Sequence, residues 1–392
     1  MAQETGMKIQ ITPPRLRSQS NWLTFNELQE AGNNDCYGGS EYPLYSDVEI
    51  HGELDNGLGP YALLNAGSFG RPKGANIAIV LRYFNFEAPE RRNLAELKTD
   101  VKLFHGGSLP EEITSLASLA LGVRLKAGDA NRYFDGGDPL GRYMAHSYRP
   151  APSLSVNHGL PLIPMPEHVL LNDIQSRLAT IPTVKAKLYI ELVRSARAYQ
   201  DALWISESEP HLAWLLFVSA LEIAANAQFS SAGSSTENLR ELMPELATMV
   251  EASGGSDLLN KVATDLKGLF GSTKKFLMFC EAFMPAEPPD RPSLDWMKIE
   301  WTWDALLPIL KKIYSLRSYA LHAGIPFPTP MCQRPHQWTQ DTVPAERAIT
   351  SLAVQTLNAQ WVPEDAPIAL HTFQHFTRGA LLNWWDRISI TA

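Results

Sequence analysis

Cysteine is scarce in this sequence: three residues in 392, Cys36, Cys280 and Cys332. They are odd in number, far apart and match no metal-ligand spacing, which predicts reduced thiols in a cytoplasmic protein and no metal site. No run of about 18 uninterrupted apolar residues exists, so no membrane span is expected. The start, Met1-Ala-Gln-Glu-Thr, lacks a charged stretch followed by an apolar one, so no secretion signal is expected. Positive charge is also short. Lys and Arg number 34 against 42 Asp and Glu, a net charge of −8, which argues against a broad nucleic-acid-coating surface and leaves only a local basic groove for any RNA contact. Internal repeats and low-complexity tracts are absent.

What is present is an ordinary globular composition, 45% hydrophobic and 19% charged, with 10 Trp and 28 Pro. Its length fits two domains with a large core. The chain changes character midway. Up to about residue 150 it is broken by Gly and Pro and carries short alternating or β-branched runs. Residues 47–54 alternate as a half-buried strand does. Residues 77–86 are β-branched and aromatic and read as a central strand, and 7–12 form a third candidate. A helix is predicted over 111–121, with Pro110 in its first turn and Gly122 at its C-terminal cap. Residues 149–168 hold five prolines and almost no charge, the signature of a semi-rigid connector packed along the surface.

Beyond it the pattern is helical. After Pro182, Leu188, Leu192, Ala196, Tyr199 and Leu203 fall at spacings of three and four. Ser208 and Pro210 read as a cap and first turn that launch the run 212–227, apolar on nearly all sides and therefore expected at the centre of a bundle. Shorter helices are predicted at 236–252, 256–269 and 273–284. The next is 303–322, with Leu306, Ile309, Leu310, Ile313, Leu316 and Ala320 facing inward and Pro308 tolerable only near the first turn. Gly324 and Pro326 end it. Helices near 344–359 and 371–387 complete the chain. The fold class is α+β: a mixed N-terminal domain (1–150), a Pro-rich connector (151–180) and a helical domain (181–392).

Several constellations fail on spacing. Residues 67–74 resemble a phosphate-cradling loop but lack the terminal GK[ST], and read as a turn. Residues 129–138 lack the alternating ligands of a calcium loop. His371 and His375 sit at helical spacing with no third ligand, a structural pair. Trp384-Trp385 reads as a docking anchor for the last helix. One pair carries chemistry. Arg317 and His322 are five apart near the end of an amphipathic segment. Arginine grips phosphate through a planar fork, histidine moves protons near neutrality, and RNA brings its own nucleophile in the 2′-hydroxyl. The bland alternative is an arginine paired with a carboxylate and a histidine stacked in a core, a coincidence that arises often by chance. Glu222, in the apolar run, needs a partner, and Arg317 is the obvious one. That pairing fits both readings, as a catalytic support or as an ion pair holding two helices in register. Only catalysis needs His322 open to solvent.

These residues resemble a family. Ala202-Leu-Trp, Ala213-Trp-Leu-Leu-Phe-Val-Ser-Ala-Leu-Glu222, Gly271-Ser-Thr-Lys-Lys-Phe and the stretch from Ile313 to Pro328 are similar to the HEPN domain, in particular its Apea-like group, over about residues 186–335. The resemblance implies an all-α HEPN-like bundle and cleavage of RNA without metal, usually by a dimer. Arg317 and His322 match the motif's two fixed residues, and Glu222 matches an acid that some members use. The residue after the motif's arginine is commonly Asn, Asp or His, and here is Ser318. The implied chemistry sets Arg317 on the scissile phosphate and His322 as proton carrier, leaving a 2′,3′-cyclic phosphate and a 5′-hydroxyl. Five positions on an ideal helix differ by about 140° in direction, so a homodimer bringing two motifs together is expected. Lys311, Lys312 and Ser318 are candidate RNA contacts, the lysines otherwise being a solvated face. No cofactor is expected, and the N-terminal domain is a candidate sensor for an activator. Phage defence or toxin-like growth arrest is the implied setting. The competing class is a non-catalytic HEPN-like sensor or a nucleotide- or RNA-binding module.

Overall fold

The computed structural model describes residues 14–67, 74–88, 102–145, 147–155, 160–229, 234–338, 343–350 and 360–390. The candidate strand at 7–12 and most of the 67–74 loop lie outside them. The first half opens with helix α1 (Arg17–Glu30), followed by strands β1 (Gly38–Ser46), β2 (Glu49–His51), β3 (Tyr61–Asn65) and β4 (Asn76–Phe84). Helix α2 (Leu109–Leu121) and short strands β5 (Lys126–Ala127), β6 (Arg132–Asp135) and β7 (Arg142–Tyr143) follow. The main sheet is antiparallel in the order β3-β4-β1-β6-β7, with β5 also on β1. Cross-strand partners share a face, so Leu63, Leu81 and Tyr42 line one side. With Leu44 and Ile79 on that side, Leu63 and Leu81 are fully buried. The opposite face carries Glu41, with Arg82 and Arg132 against it.

The predicted strand at 77–86 is β4, seated between β3 and β1. The alternation at 47–54 is real, with Val48, Ile50 and Leu54 buried, yet only β2 is regular there. It pairs in parallel with β8 (His168–Leu170), outside the main sheet. Several of the elements were not expected, α1 and β1 the longest among them. β1 contains Pro43 and begins at Gly38-Gly39, which depresses its strand propensity. α1 buries Ser18, Gln19 and Asn21 beside a single tryptophan, Trp22, so its inward face is mostly polar and carries no apolar stripe to read. Gln19 Nε2 donates to the carbonyls of Ile181 and Val184, and Asn21 Nδ2 to that of Phe84. The helix expected at 111–121 is α2. Ser108 and Glu111 form a capping box, Pro110 lies in the first turn, and Gly122 turns left-handed at φ 75°.

The connector has no regular structure in its described residues before β8. It is anchored along the surface: Leu162 and Ile163 are buried, Trp204 Nε1 donates to the Ser153 carbonyl at 3.0 Å, and the Leu162 N–H donates to Glu207 Oε1 at 2.8 Å. Helix α3 (Asn172–Leu178) leads into the helical half: α4 (Ala186–Ile205), α5 (Pro210–Gln228), α6 (Ser235–Leu242), α7 (Pro244–Asp265), α8 (Lys267–Ala282), α9 (Trp303–His322) and α10 (Leu370–Ile390). α5 touches α4, α8, α9 and α10, as its all-round apolarity predicts. Trp214 stacks between Phe327 at 5.3 Å and Phe373 at 4.9 Å. Among the described residues α5 is the one helix long and apolar enough to cross a membrane by length and composition. Here it is a core helix.

Some expected boundaries are corrected. α5 is capped by Glu209 without a side-chain bond, so Ser208 is not its cap, although Pro210 does open it. The helix expected over 236–252 is split before Pro244, which starts a new helix because it needs no N–H donor there. Gly254 and Gly255 do leave helical geometry, as expected. Pro308 lies in the second turn of α9, past the first turn, so one backbone bond toward Asp304 is forgone. Residues 343–350 are not α-helical. Glu346 holds them instead, accepting from Arg291 and from the Ile299 N–H. Residues 351–359 lie outside the described set.

Buried residues of both halves form one cluster, from Leu16 and Leu116 to Trp214, Trp384 and Trp385. Polar welds reinforce it. Arg124, almost fully enclosed, donates to Asp47, to the Leu203 carbonyl and to Ser206. Arg378 of α10 donates to the Leu119 and Ala120 carbonyls at the C-terminus of α2, where a cation meets the negative end of the helix. The tryptophan pair anchors α10 as expected, Trp384 Nε1 donating to Gln228 and Trp385 Nε1 to Thr180.

Candidate functional site at the end of helix α9

Helix α9 buries Leu306, Ile309, Leu310 and Ile313, with Leu316 and Ala320 half-buried. The opposite side presents Lys311, Ser315, Tyr319 and His322 to solvent. The last turn is regular. The Ala323 N–H bonds the Tyr319 carbonyl at 2.9 Å, and the Ile325 N–H returns to the same carbonyl at 3.3 Å. This needs the residue between them left-handed, which Gly324 supplies at φ 66°.

Arg317 lies on the flank of α9 that meets α5. Its Nη2 donates to Glu222 Oε2 at 2.7 Å, and the Tyr314 hydroxyl donates to Glu222 Oε1 at 2.8 Å. The Arg317 guanidinium also sits 5.8 Å from the centre of the Tyr314 ring. Both carboxylate oxygens are therefore used, which is how an apolar helix tolerates Glu222. The pairing read from the sequence is present. The side chains of Glu222 and Arg317 keep 13% and 21% of their exposure, so the pair is sheltered and not sealed. Arg317 Nε has no partner among the described residues. Burial and the Glu222 carboxylate push the Tyr314 phenol up, which keeps it a neutral donor.

His322 is exposed and has no hydrogen-bond partner among the described residues. It is therefore not a histidine stacked in the core, and it has the exposure that catalysis would need. Because the last turn is undistorted, Arg317 and His322 differ by about 140° around the axis. Arg317 turns toward α5 and His322 toward solvent, so one chain does not aim both at one phosphate. Lys311, eleven residues before His322, falls within about 20° of it and is exposed. Ser318, half-buried, lies one turn before His322. Lys312 differs from expectation: its Nζ is 2.9 Å from Asp365 Oδ1, so it is not an open charge. The hydrogen bond from Lys312 holds the Asp365 carboxyl below its ordinary range.

Two neighbours were missed by the sequence reading. Tyr314 was legible in principle, three positions before Arg317 and hence on the same flank. Lys275 of α8 lies in the Gly271-Ser-Thr-Lys-Lys-Phe stretch, but no spacing tied it to Glu222. Its Nζ reaches Asn226 Oδ1 at 3.4 Å, one turn along α5 from Glu222.

Other candidate chemistry falls away. His371 is enclosed and its pKa is lowered to about 4, by burial first and then by His375. His375 bonds the Ala286 carbonyl at 3.0 Å, so the two are a structural pair. No group of three or more His, Cys, Asp or Glu able to hold a metal occurs among the described residues. Cys332 Sγ lies 3.3 Å from His211 Nδ1, but burial pushes the thiol up to about 12, away from the reactive thiolate. Compared with known protein families, curated proteins and solved structures, the chain matches none.

Proposed function

We propose that the chain is a cytoplasmic endoribonuclease of the HEPN type that works without metal, as a homodimer, in phage defence or toxin-like growth arrest. The observation that carries this reading is His322, exposed and without a hydrogen-bond partner among the described residues, on the turn after an arginine oriented by a sheltered carboxylate. In the reaction the 2′-oxygen attacks phosphorus and the bond to the 5′-oxygen breaks. His322 takes the 2′-hydroxyl proton or supplies one to the leaving oxygen. Arg317 holds the phosphate and offsets charge building on its oxygens. Glu222 and Tyr314 keep the guanidinium in place.

A second copy supplies what one helix end lacks. Tyr319, Leu321 and Ile325 flank His322 and are each at least half exposed, an apolar rim that suits contact between copies. Pairing two motifs there places the Arg317 of one copy near the His322 of the other and gathers two copies of Lys311 and Lys275 in an acidic protein. The N-terminal half is the candidate sensor of an activator. A second reading, a non-catalytic sensor or nucleotide- or RNA-binding module, is favoured by the Arg317–Glu222 bond itself, which offsets the arginine's charge without substrate. Purified protein incubated with total RNA in EDTA, beside a His322→Ala control, separates the two. Cleavage to 2′,3′-cyclic phosphate ends that the control lacks supports the enzyme, and no cleavage even in cells undergoing growth arrest supports the module.

A further inference from the structure

A cavity of about 290 Å³ opens at the edge of the N-terminal sheet, where the start of α2 meets the turn before β6 and the connector. Tyr42, Tyr133 and Tyr148 line it, together with Glu111, Asp129 and Arg149. Both carboxylates are held by one oxygen each. Glu111 Oε2 accepts the Ser108 N–H at 2.9 Å in the capping box, and Asp129 Oδ2 accepts the Arg149 N–H at 2.7 Å and the Ser147 hydroxyl at 3.1 Å. Their second oxygens accept no hydrogen bond among the described residues. Each instead lies 3.9 Å from the Arg149 guanidinium, beyond hydrogen-bond reach. The Arg149 side chain is 77% exposed, so it hovers at the mouth.

We propose that this cavity is a binding site for an alkylguanidinium group, with Arg149 as an internal stand-in that the ligand displaces. A planar guanidinium bridges two carboxylates through parallel N–H bonds and lies flat on tyrosine faces. The alkyl stem packs on the same rings. An anion entering the cavity meets two carboxylates against one solvent-exposed arginine, so the charge balance selects a cation. The size suits a small ligand or one side chain, since sites for drug-sized molecules begin at about 300 Å³.

Calorimetric titration of the full chain with butylguanidinium, an arginine-containing tripeptide amide and AMP tests this. Butylguanidinium should bind, and Arg149→Gln should tighten it by roughly threefold to tenfold, because the internal competitor is gone. Glu111→Gln keeps the capping acceptor and, like Tyr133→Ala, should weaken binding by about tenfold. Tighter binding of the peptide than of butylguanidinium identifies a protein arginine as the source, and the reverse identifies a free small molecule. Absence of butylguanidinium binding in both the wild type and Arg149→Gln overturns the proposal. So does AMP binding that Arg149→Gln abolishes, which marks an anion site.

Discussion

Replacing Glu222 with leucine removes the acceptor of two hydrogen bonds at once and leaves the Arg317 guanidinium against an apolar helix. Removing one partner of a fully buried ion pair costs about 3–5 kcal/mol, and exposed pairs contribute about 0–1 kcal/mol. With exposures of 13% and 21%, the loss of the pair falls between, at about 2 kcal/mol. The orphaned Tyr314 hydroxyl adds about 1 kcal/mol. Glu222→Gln keeps an acceptor and the side-chain volume and loses the charge, for a cost of about 1 kcal/mol. Urea denaturation at neutral pH reads both, with tryptophan fluorescence and circular dichroism required to agree before a free energy is assigned. Adding Arg317→Met to each variant closes a double-mutant cycle with an expected coupling of about 1–2 kcal/mol. Additive effects, or a leucine variant as stable as the glutamine one, refute the assignment of Glu222 as the residue that holds Arg317. Under the proposed function Glu222→Gln also lowers RNA cleavage, because the arginine loses its orientation while the fold survives.

His322→Ala should lower RNA cleavage by about 10²-fold or more and leave the melting temperature unchanged, since the side chain is exposed. Arg317→Ala should match it in activity and lose stability as well, and equal activity in wild type and His322→Ala ends the mechanism. Light scattering at micromolar concentration should give twice the 43.6 kDa chain mass, and a monomer that still cleaves RNA rules out the shared site. His371, held neutral with a pKa near 4 against an ordinary 6.5, binds fewer protons folded than unfolded in that window, so stability falls as pH drops from about 6.5 to 4, by about 3 kcal/mol in all. His371→Gln should flatten the slope of urea midpoint against pH, and an unchanged slope places its origin elsewhere. Arg124→Met removes the cation that lies 3.3 Å from the nearly enclosed Glu207 and also pairs with the partly exposed Asp47, and should cost about 3–5 kcal/mol by the same denaturation assay, a loss below 1 kcal/mol being inconsistent with a weld between the halves.

Local rules made several elements legible. α9 follows from its apolar spacing and from Gly324, a residue that accepts the left-handed turn ending the helix. α2 follows from Pro110 and Gly122. α5 follows from a composition that water does not tolerate on any face. α1 escaped because three of its four buried side chains, Ser18, Gln19 and Asn21 beside Trp22, are polar, and their burial is balanced by hydrogen bonds to residues far along the chain. β1 escaped because its stability comes from its cross-strand partners, and a segment with Gly38, Gly39 and Pro43 advertises nothing by itself.

The same division holds at the candidate site. The sequence alone determined the α+β class, the helix that carries Arg317 and His322, the 140° between them, and the need of Glu222 for a cation, because each depends on spacing along one helix or on the cost of burying charge. Only the tertiary structure decided that Arg317, the partner the sequence suggests, lies within reach of Glu222, that Tyr314 shares the carboxylate, that Asp365 takes Lys312, and that His322 stays open to solvent. Those outcomes depend on which helices lie side by side, and that is set by the packing of Trp214, Phe327 and Phe373 across the core, interactions between residues more than a hundred positions apart that no local pattern encodes.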